Sequence, residues 1–481
     1  MKTYSPLGFY LRIVCVSLLV AVLNLSAVEH TAKELLLKAN QAMQAGDSRS
    51  AAENLANVAI YFPWRYELNT LAARLAFQTN DPKATIRYLE RPGTISHLSN
   101  EDLLLLGDAY AKNGNSEMAE AIWKRASELN AAISATERLA DLYLKQKNYS
   151  TAASYLQQLV ILDPSRSQLY YQIGVLYAVS DPTKALPFLV QAAEMDQPDA
   201  SRAKTLHDKI RTASLFEDPA YTVLIVGRQL ADWGDWRLAW AAFSQAVTLR
   251  SDYADAWAFY SEAKQQVTIQ ETGAVSSLGL PELELAIQLD SKSILANTLM
   301  GIYWERQGNF TQAENYLTYA ISVSPQDPYL YSELGNIYSK AGDLPIAQAA
   351  YEKSIELTPR DPLFYCQLAQ FAMDNQIQIR ELALPAARKA LLLDPQDANS
   401  LDVMAQVMLM LLDYQSAERF SMAAVKSNPT FAQAYLHLGT AYLYQGKSEL
   451  AQQWLSKAET VDPKSWVSAQ ATRLLEYYFP K

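Results

Sequence analysis

The chain has 481 residues, half of them apolar and 19% charged, with a formal net charge of −10. That length exceeds one ordinary hydrophobic core, and the composition suits a folded chain rather than a disordered one. The acidic balance argues against a nucleic-acid binder, which needs a basic face, and only 16 glycines amid abundant Ala and Leu favour helices over β-sandwich or dinucleotide-binding folds.

At the N-terminus, Lys2 and Arg12 precede the apolar run 13–25, and Ser26-Ala27 follow. A basic leader, a short apolar stretch and small residues make a secretory signal. The rival is a retained anchor: residues 13–28 fall short of the roughly 20 a span needs, and extension back to Leu7 brings Arg12 inside, where it snorkels. In both readings the basic residues lie on the N-terminal side, so the rest of the chain is exported. Residues 1–28 are thus assigned as a signal peptide or membrane anchor. The remainder is expected to be periplasmic or extracellular, or anchored in the cytoplasmic membrane with its repeats outside. Cys15 lies in this leader. Its removal leaves Cys366 without a disulfide partner, as a small apolar filler or groove-lining thiol.

From Thr31 onward a pattern recurs at about 34 residues. The first two units, near 31–63 and 66–92, are degenerate, though Ala39, Ala51 and Pro63 keep the first in frame. Then come Leu106-Gly107, Tyr110, Ala119, Trp123 and Ala126, a weaker copy at Ala140, and Ile173-Gly174 with Tyr177. After Pro198, residues 199–215 read as a lone helix ending at Phe216-Glu217-Asp218-Pro219, a spacer over 199–219 that is either a hinge or one degenerate helix keeping the stack continuous. The frame resumes with Val226-Gly227, Ala239, Phe243 and Ala246. The next first helix starts at Trp257, and its second helix arrives about six residues late; within this break, 265–279, the extra small polar residues 272–277 are expected as a longer loop projecting from one face, a tolerated insertion or a partner contact.

Met300-Gly301, Trp304, Ala313, Ala320 and Pro325 follow, and then the clearest unit, 328–359. It carries Tyr331, Leu334-Gly335 and Tyr338, then Ala347, Tyr351, Ser354 and Pro359. Gly335 and Ala347 are small so that two helices approach closely, and Tyr331, Leu334, Tyr338 and Tyr351 are the knobs that fill the space between units. Gly342 leaves the first helix and Asp343 begins the second. Weaker copies place Ala369 and Ala405 at the glycine position, and Leu438-Gly439, Tyr442, Ala451, Ala458 and Pro463 close the series. Pro325, Pro359, Pro395, Pro429 and Pro463 are each expected to end one helix and start the next at its first turn. Residues 464–481 hold an amphipathic segment that reads as a capping helix.

This pattern resembles the tetratricopeptide-repeat consensus of an aromatic residue, Leu-Gly, Tyr, then Ala, an aromatic residue, Ala and Pro. Ser354 departs from it where Ala is usual. The resemblance implies an all-α, right-handed superhelical solenoid of about twelve helix–turn–helix units, roughly five over 29–198 and seven over 220–463. It also implies that first helices line a concave groove through their second, fifth, ninth, twelfth and thirteenth positions. These are Tyr329, Ser332, Asn336, Ser339 and Lys340; Asn399, Asp402, Gln406, Leu409 and Met410; and Gln433, Leu436, Thr440, Leu443 and Tyr444. The groove reads as rather apolar and suited to a helix or extended peptide. Some relatives grip an acidic C-terminal peptide through Lys and Asn; here only Asn336 is in place, with Ser332 and Gln367 elsewhere, so that clamp is not expected.

Catalytic signals are missing. His30, His97, His207 and His437 are scattered, without a partner at metal-ligand spacing. Gly446-Lys447-Ser448 resembles the end of a phosphate loop but lacks its earlier glycine and falls at a repeat turn. The expectation is a non-catalytic scaffold outside the cytoplasm, without cofactor or metal, binding a protein or peptide and no nucleic acid. The alternative is a regulatory subunit of a membrane-associated enzyme complex such as a glycosyltransferase, secretion or envelope-assembly machinery.

Overall fold

The structure, a computed structural model, describes residues 28–91, 93–128, 132–195, 198–275, 277–463 and 465–480. The leader's apolar run and Cys15 lie outside the described residues. Among the described residues no helix is long and apolar enough to cross a membrane. They form 26 α-helices and no strand. The chain divides into two compact units, the first ending at Leu249 and the second beginning at Arg250.

In the first unit, antiparallel pairs are α1 (Val28–Gln44) with α2 (Ser48–Tyr61), α3 (Tyr66–Gln78) with α4 (Pro82–Leu89), α5 (Asn100–Lys112) with α6 (Ser116–Glu128), α7 (Ala132–Lys145) with α8 (Tyr149–Leu162), and α9 (Leu169–Ser180) with α10 (Pro182–Ala193). A single helix, α11 (Ala200–Ser214), precedes the pair α12 (Pro219–Asp232) and α13 (Trp236–Leu249). Helix α11 buries Ala203, Leu206, Ile210 and Ala213, one stripe at helical spacing, and packs against both α10 and α12. The stack therefore runs on through the segment expected as a spacer.

The second unit holds α14 (Ala254–Thr272) with α15 (Leu280–Leu289), α16 (Ile294–Arg306) with α17 (Phe310–Val323), α18 (Pro328–Ala341) with α19 (Leu344–Leu357), α20 (Pro362–Asp374) with α21 (Leu384–Leu393), α22 (Ala398–Met410) with α23 (Tyr414–Ser427), and α24 (Ala432–Tyr444) with α25 (Ser448–Val461). The last helix, α26 (Trp466–Tyr478), lies on α24 and α25. Each unit is an all-α helical-repeat solenoid.

Within a pair, the glycine of the first helix receives a large side chain from the second. A Cβ built on Gly107 would run into the Trp123 indole. One on Gly227 would meet Phe243 at 2.5 Å, on Gly439 Leu455 at 2.7 Å, and on Gly335 Tyr351 at 2.9 Å. Tyr351 therefore fills space inside its own pair, not only between units. Where Ala405 replaces the glycine, the residue at the corresponding place in α23 is Ser421, and both are fully buried. Pairs are then clasped to one another. The Tyr338 hydroxyl donates to Glu314 of the preceding second helix at 2.6 Å, and Tyr143 repeats the bond to Glu120 at 2.7 Å.

Three local expectations are corrected. The repeat prolines do not open the next helix. Pro325 follows the C-cap Ser324, and α18 begins three residues later at a different proline, Pro328. The Asp327 N–H donates to the Ser324 carbonyl at 3.2 Å, as Asp361 does to Thr358 and Phe431 to Asn428, both at 3.1 Å. This is a β-turn with proline at its second position, where its fixed φ belongs. Second, Tyr331 does more than fill space: its hydroxyl donates to the Pro325 carbonyl at 3.2 Å, and Tyr365 and Tyr435 do the same for Pro359 and Pro429. Third, the break expected over 265–279 narrows at its start, where residues 265–272 are helical. No breaker precedes Gly273, so α14 continues to Thr272, and the connection to α15 at Leu280 is short. Ser261 Oγ fastens it, donating to the Gly279 carbonyl at 2.7 Å.

The repeat from Ala369 to Ala405 is two residues longer than the one from Gly335 to Ala369. The excess is housed in a π-helical turn, Ile379–Ala383, ahead of α21.

Candidate functional site

The first helices α20, α22 and α24 lie side by side, because each buries small or apolar residues against its neighbour. Cys366 and Phe364 of α20, Val403 and Met404 of α22, and Leu436 and Leu438 of α24 are all buried. The side chains left facing outward are mostly amides. Together with Trp466 of α26 they line an open cavity of about 510 Å³, formed by Leu363, Cys366, Gln367, Gln370, Asp374, Asn399, Val403, Gln406, Gln433 and Trp466.

The expected groove residues divide into three groups. Asn399, Gln406 and Gln433 line this cavity. Ser332, Asp402 and Leu436 are buried instead, at 1%, 1% and 3% exposure. In α18, α22 and α24 their shared position faces the next first helix rather than the groove. Ser332 donates to Gln367 Oε1 at 2.7 Å, and Asp402 accepts from His437 Nδ1 at 2.7 Å and from Gln406 Nε2 at 3.2 Å. Cys366 occupies the same position in α20, with its Sγ 3.5 Å from Ser400 Oγ.

The remainder lie away from the cavity lining. Tyr329 is exposed and packs edge-on against Phe364 at 5.1 Å. Asn336 accepts from the Tyr351 hydroxyl and donates to Glu333 Oε2 at 3.2 Å. Burial pushes the Glu333 carboxyl above its usual range. Lys340 pairs with Glu305. The Thr440 hydroxyl donates back to Leu436 O at 2.8 Å, which commits it locally. Tyr444 is exposed and stacks on Tyr414 at 5.2 Å.

The cavity lining sets apolar Leu363, Val403 and Trp466 beside amides. Five side-chain amides face it: Gln367, Gln370, Asn399, Gln406 and Gln433. Gln367 and Gln406 are each held by one hydrogen bond, and Gln370 donates to Asp374 Oδ1 at 2.7 Å. Among the described residues, the side-chain amides of Asn399 and Gln433 have no hydrogen-bond partner. Gln370, Asp374 and Trp466 are absent from the sequence-based expectation. The repeat frame gives no sign of α26's reach, whereas Gln370 and Asp374 stand at the ninth and thirteenth positions of the α20 repeat, 34 residues after Asn336 and Lys340, a repeat whose groove positions the expectation did not enumerate. Burial pushes the Cys366 thiol up to about 11, so it stays neutral.

His437 differs from the other histidines in facing a buried carboxylate. His97 stacks on Tyr66 at 4.7 Å, His207 meets Asp208 at 3.0 Å, and His30 meets Glu34 at 3.6 Å. Among the described residues no group of three His, Cys, Asp or Glu side chains is placed to hold a metal ion. Gly446 adopts a left-handed turn, and Lys447 pairs with Glu418 at 3.0 Å.

Family models described as tetratricopeptide repeat match residues 104–167, 299–362 and 432–465, which hold α5–α8, α16–α19 and α24–α25. No curated protein matches in sequence. Among solved structures the chain is similar to yeast Tom70, at 14% identity over 94% of this chain and 96% of that one, with a TM-score of 0.47. It is similar to YrrB, a TPR protein with an unusual peptide-binding site, at 18% identity over 40% and 97%, with a TM-score of 0.28. It is also similar to a thermophilic TPR protein of Thermus thermophilus, at 21% identity over 38% and 99%, with a TM-score of 0.34. With the matched repeats present in both units, and the same glycine-into-aromatic or glycine-into-leucine pairing carried through helix pairs outside the matched stretches, the chain is a tetratricopeptide-repeat protein.

Proposed function

We propose that the protein is a non-catalytic scaffold, working outside the cytoplasm, that grips an extended segment of a partner protein in the cavity formed by α20, α22, α24 and α26. The coarse part follows from the family, whose repeat arrays serve as protein–protein interaction scaffolds. The amide lining carries the finer part. An extended peptide presents unpaired N–H and C=O groups along its length, and a side-chain amide offers both a donor and an acceptor to meet them. Asn399 and Gln433 have both capacities unspent among the described residues. Adjacent first helices sit about 9 Å apart. The run from α20 to α26 therefore takes about eight extended residues at roughly 3.3 Å each.

The double variant Asn399→Ala/Gln433→Ala tests this reading. The partner that co-purifies stoichiometrically with the wild-type chain is expected to be lost, with the melting curve unchanged. Undiminished co-purification with the double variant counts against the cavity as the binding site.

The location rests on Lys2, Arg12, the apolar run 13–25 and the small residues after it. A reporter enzyme that is active only outside the cytoplasm, fused after Lys481, is expected to be active, and deletion of residues 1–27 to silence it. An inactive fusion to the intact chain overturns the assignment.

A further inference from the structure

We infer that the segment held in this cavity carries a Lys or Arg side chain, received by Asp374. The inference rests on the proposed function and names the chemistry of its ligand. Among the described lining residues Asp374 bears the one formal charge, and none is Lys or Arg. Asp374 is exposed, and its Oδ1 accepts from Gln370 Nε2, which orients the carboxylate and leaves Oδ2 for a cation arriving from the cavity.

The surroundings have the same sign. Asp361 caps α20, accepting from the Leu363 N–H at 2.9 Å, and Asp397 caps α22, accepting from the Ser400 N–H at 2.8 Å. Asp402 lies beneath the floor. These three carboxylates all push the floor thiol of Cys366 upward, adding to burial. His437 faces Asp402 from α24 at 2.7 Å. Trp466, 60% exposed at the far end, adds an aromatic face on which a cation or an apolar side chain rests. An acidic segment would meet this field with no basic side chain to receive it, so the cavity selects by rejection as well as attraction.

The test uses the full chain in mild detergent and an array of random ten-residue peptides. Bound sequences are expected to be enriched in Lys or Arg at one position, and replacement of that residue by Gln in the peptide to weaken binding at least about 5-fold. Asp374→Asn, at an exposed position, is expected to erase that preference while residual binding persists. Two results overturn the inference: bound sequences without basic enrichment, or a preference that survives Asp374→Asn. If peptides are captured without basic preference but are lost in Asn399→Ala/Gln433→Ala, this inference fails and the proposed cavity stands. If no peptide is captured, or capture ignores the double variant, both fail.

Discussion

The Tyr351 ring lies across Gly335, so close that a Cβ on the glycine would sit 2.9 Å from two of its ring carbons. The ring has little room to retreat. It is buried, its hydroxyl is held by Asn336, and it packs against Phe371 at 5.1 Å. Gly335→Ala therefore sets about 1–3 kcal/mol of overpacking against roughly 0.5–1 kcal/mol of gained helix propensity. A net loss of about 1–2 kcal/mol is expected in denaturant unfolding, and Gly335→Leu is expected to lose more. In a Tyr351→Ser background, which imitates the Ala405 and Ser421 arrangement, Gly335→Ala is expected to cost less. Equal costs in the two backgrounds would show that the ring does not set the glycine requirement.

Leu412 offers a gain. It occupies the left-handed slot at the turn between α22 and α23, with φ 63°, where Gly342 and Gly446 stand in other repeats. It is 69% exposed and contributes little packing. Leu412→Gly is expected to raise stability by about 0.5–1 kcal/mol, the relief of left-handed strain exceeding glycine's larger unfolded entropy. A lower unfolding midpoint contradicts that balance.

The tyrosine clasps make an alkaline prediction. Burial and a glutamate acceptor push the Tyr338 hydroxyl up to about 12, and the same causes push Tyr110 to about 12 against Glu90. A raised pKa means the folded chain keeps these protons where the unfolded chain has released them. Their contribution is whole below about pH 10, the ordinary tyrosine value, and drains away as pH rises toward 12. Stability is expected to fall through that window, and less steeply for Tyr338→Phe. At neutral pH, Tyr338→Phe is expected to cost about 1 kcal/mol for the lost bond. A pH profile identical to the wild type would sink this assignment.

Arg306 and Glu262 form a two-pronged pair, with both N–O distances 2.7 Å and side chains only 18% and 11% exposed. Arg306→Met leaves Glu262 buried without its cation. A loss of roughly 3 kcal/mol is expected, with little dependence on salt because the pair is shielded from water. A loss that disappears in high salt would place the pair at the surface.

The repeat frame is legible in the sequence because its signals are local. A glycine that must admit a neighbouring ring, and a glycine at a left-handed turn, leave marks at fixed spacing. The prolines shift by a few residues between expectation and structure because a β-turn and a helix first turn both accept proline. Ser332, Asp402 and Leu436 differ from expectation for another reason. Whether a first-helix side chain faces the groove or the next first helix depends on how adjacent pairs rotate, and one repeat's sequence does not carry that angle. Gln370 and Asp374 meet through helical spacing within α20, whereas Trp466 joins them only because α26 folds back against α24. Their chemistry exists only in the assembled cavity.

Photo-crosslinking in the native cell tests the central claim most directly. A benzoylphenylalanine placed in turn at Asn399 and Gln433 in the cavity, and at the exposed second-helix positions Ala349 and Arg419, reports which face touches the partner. The account predicts one common crosslinked partner from both cavity positions and none from Ala349 or Arg419. The same partner captured from the second helices, with the cavity positions silent, would contradict it.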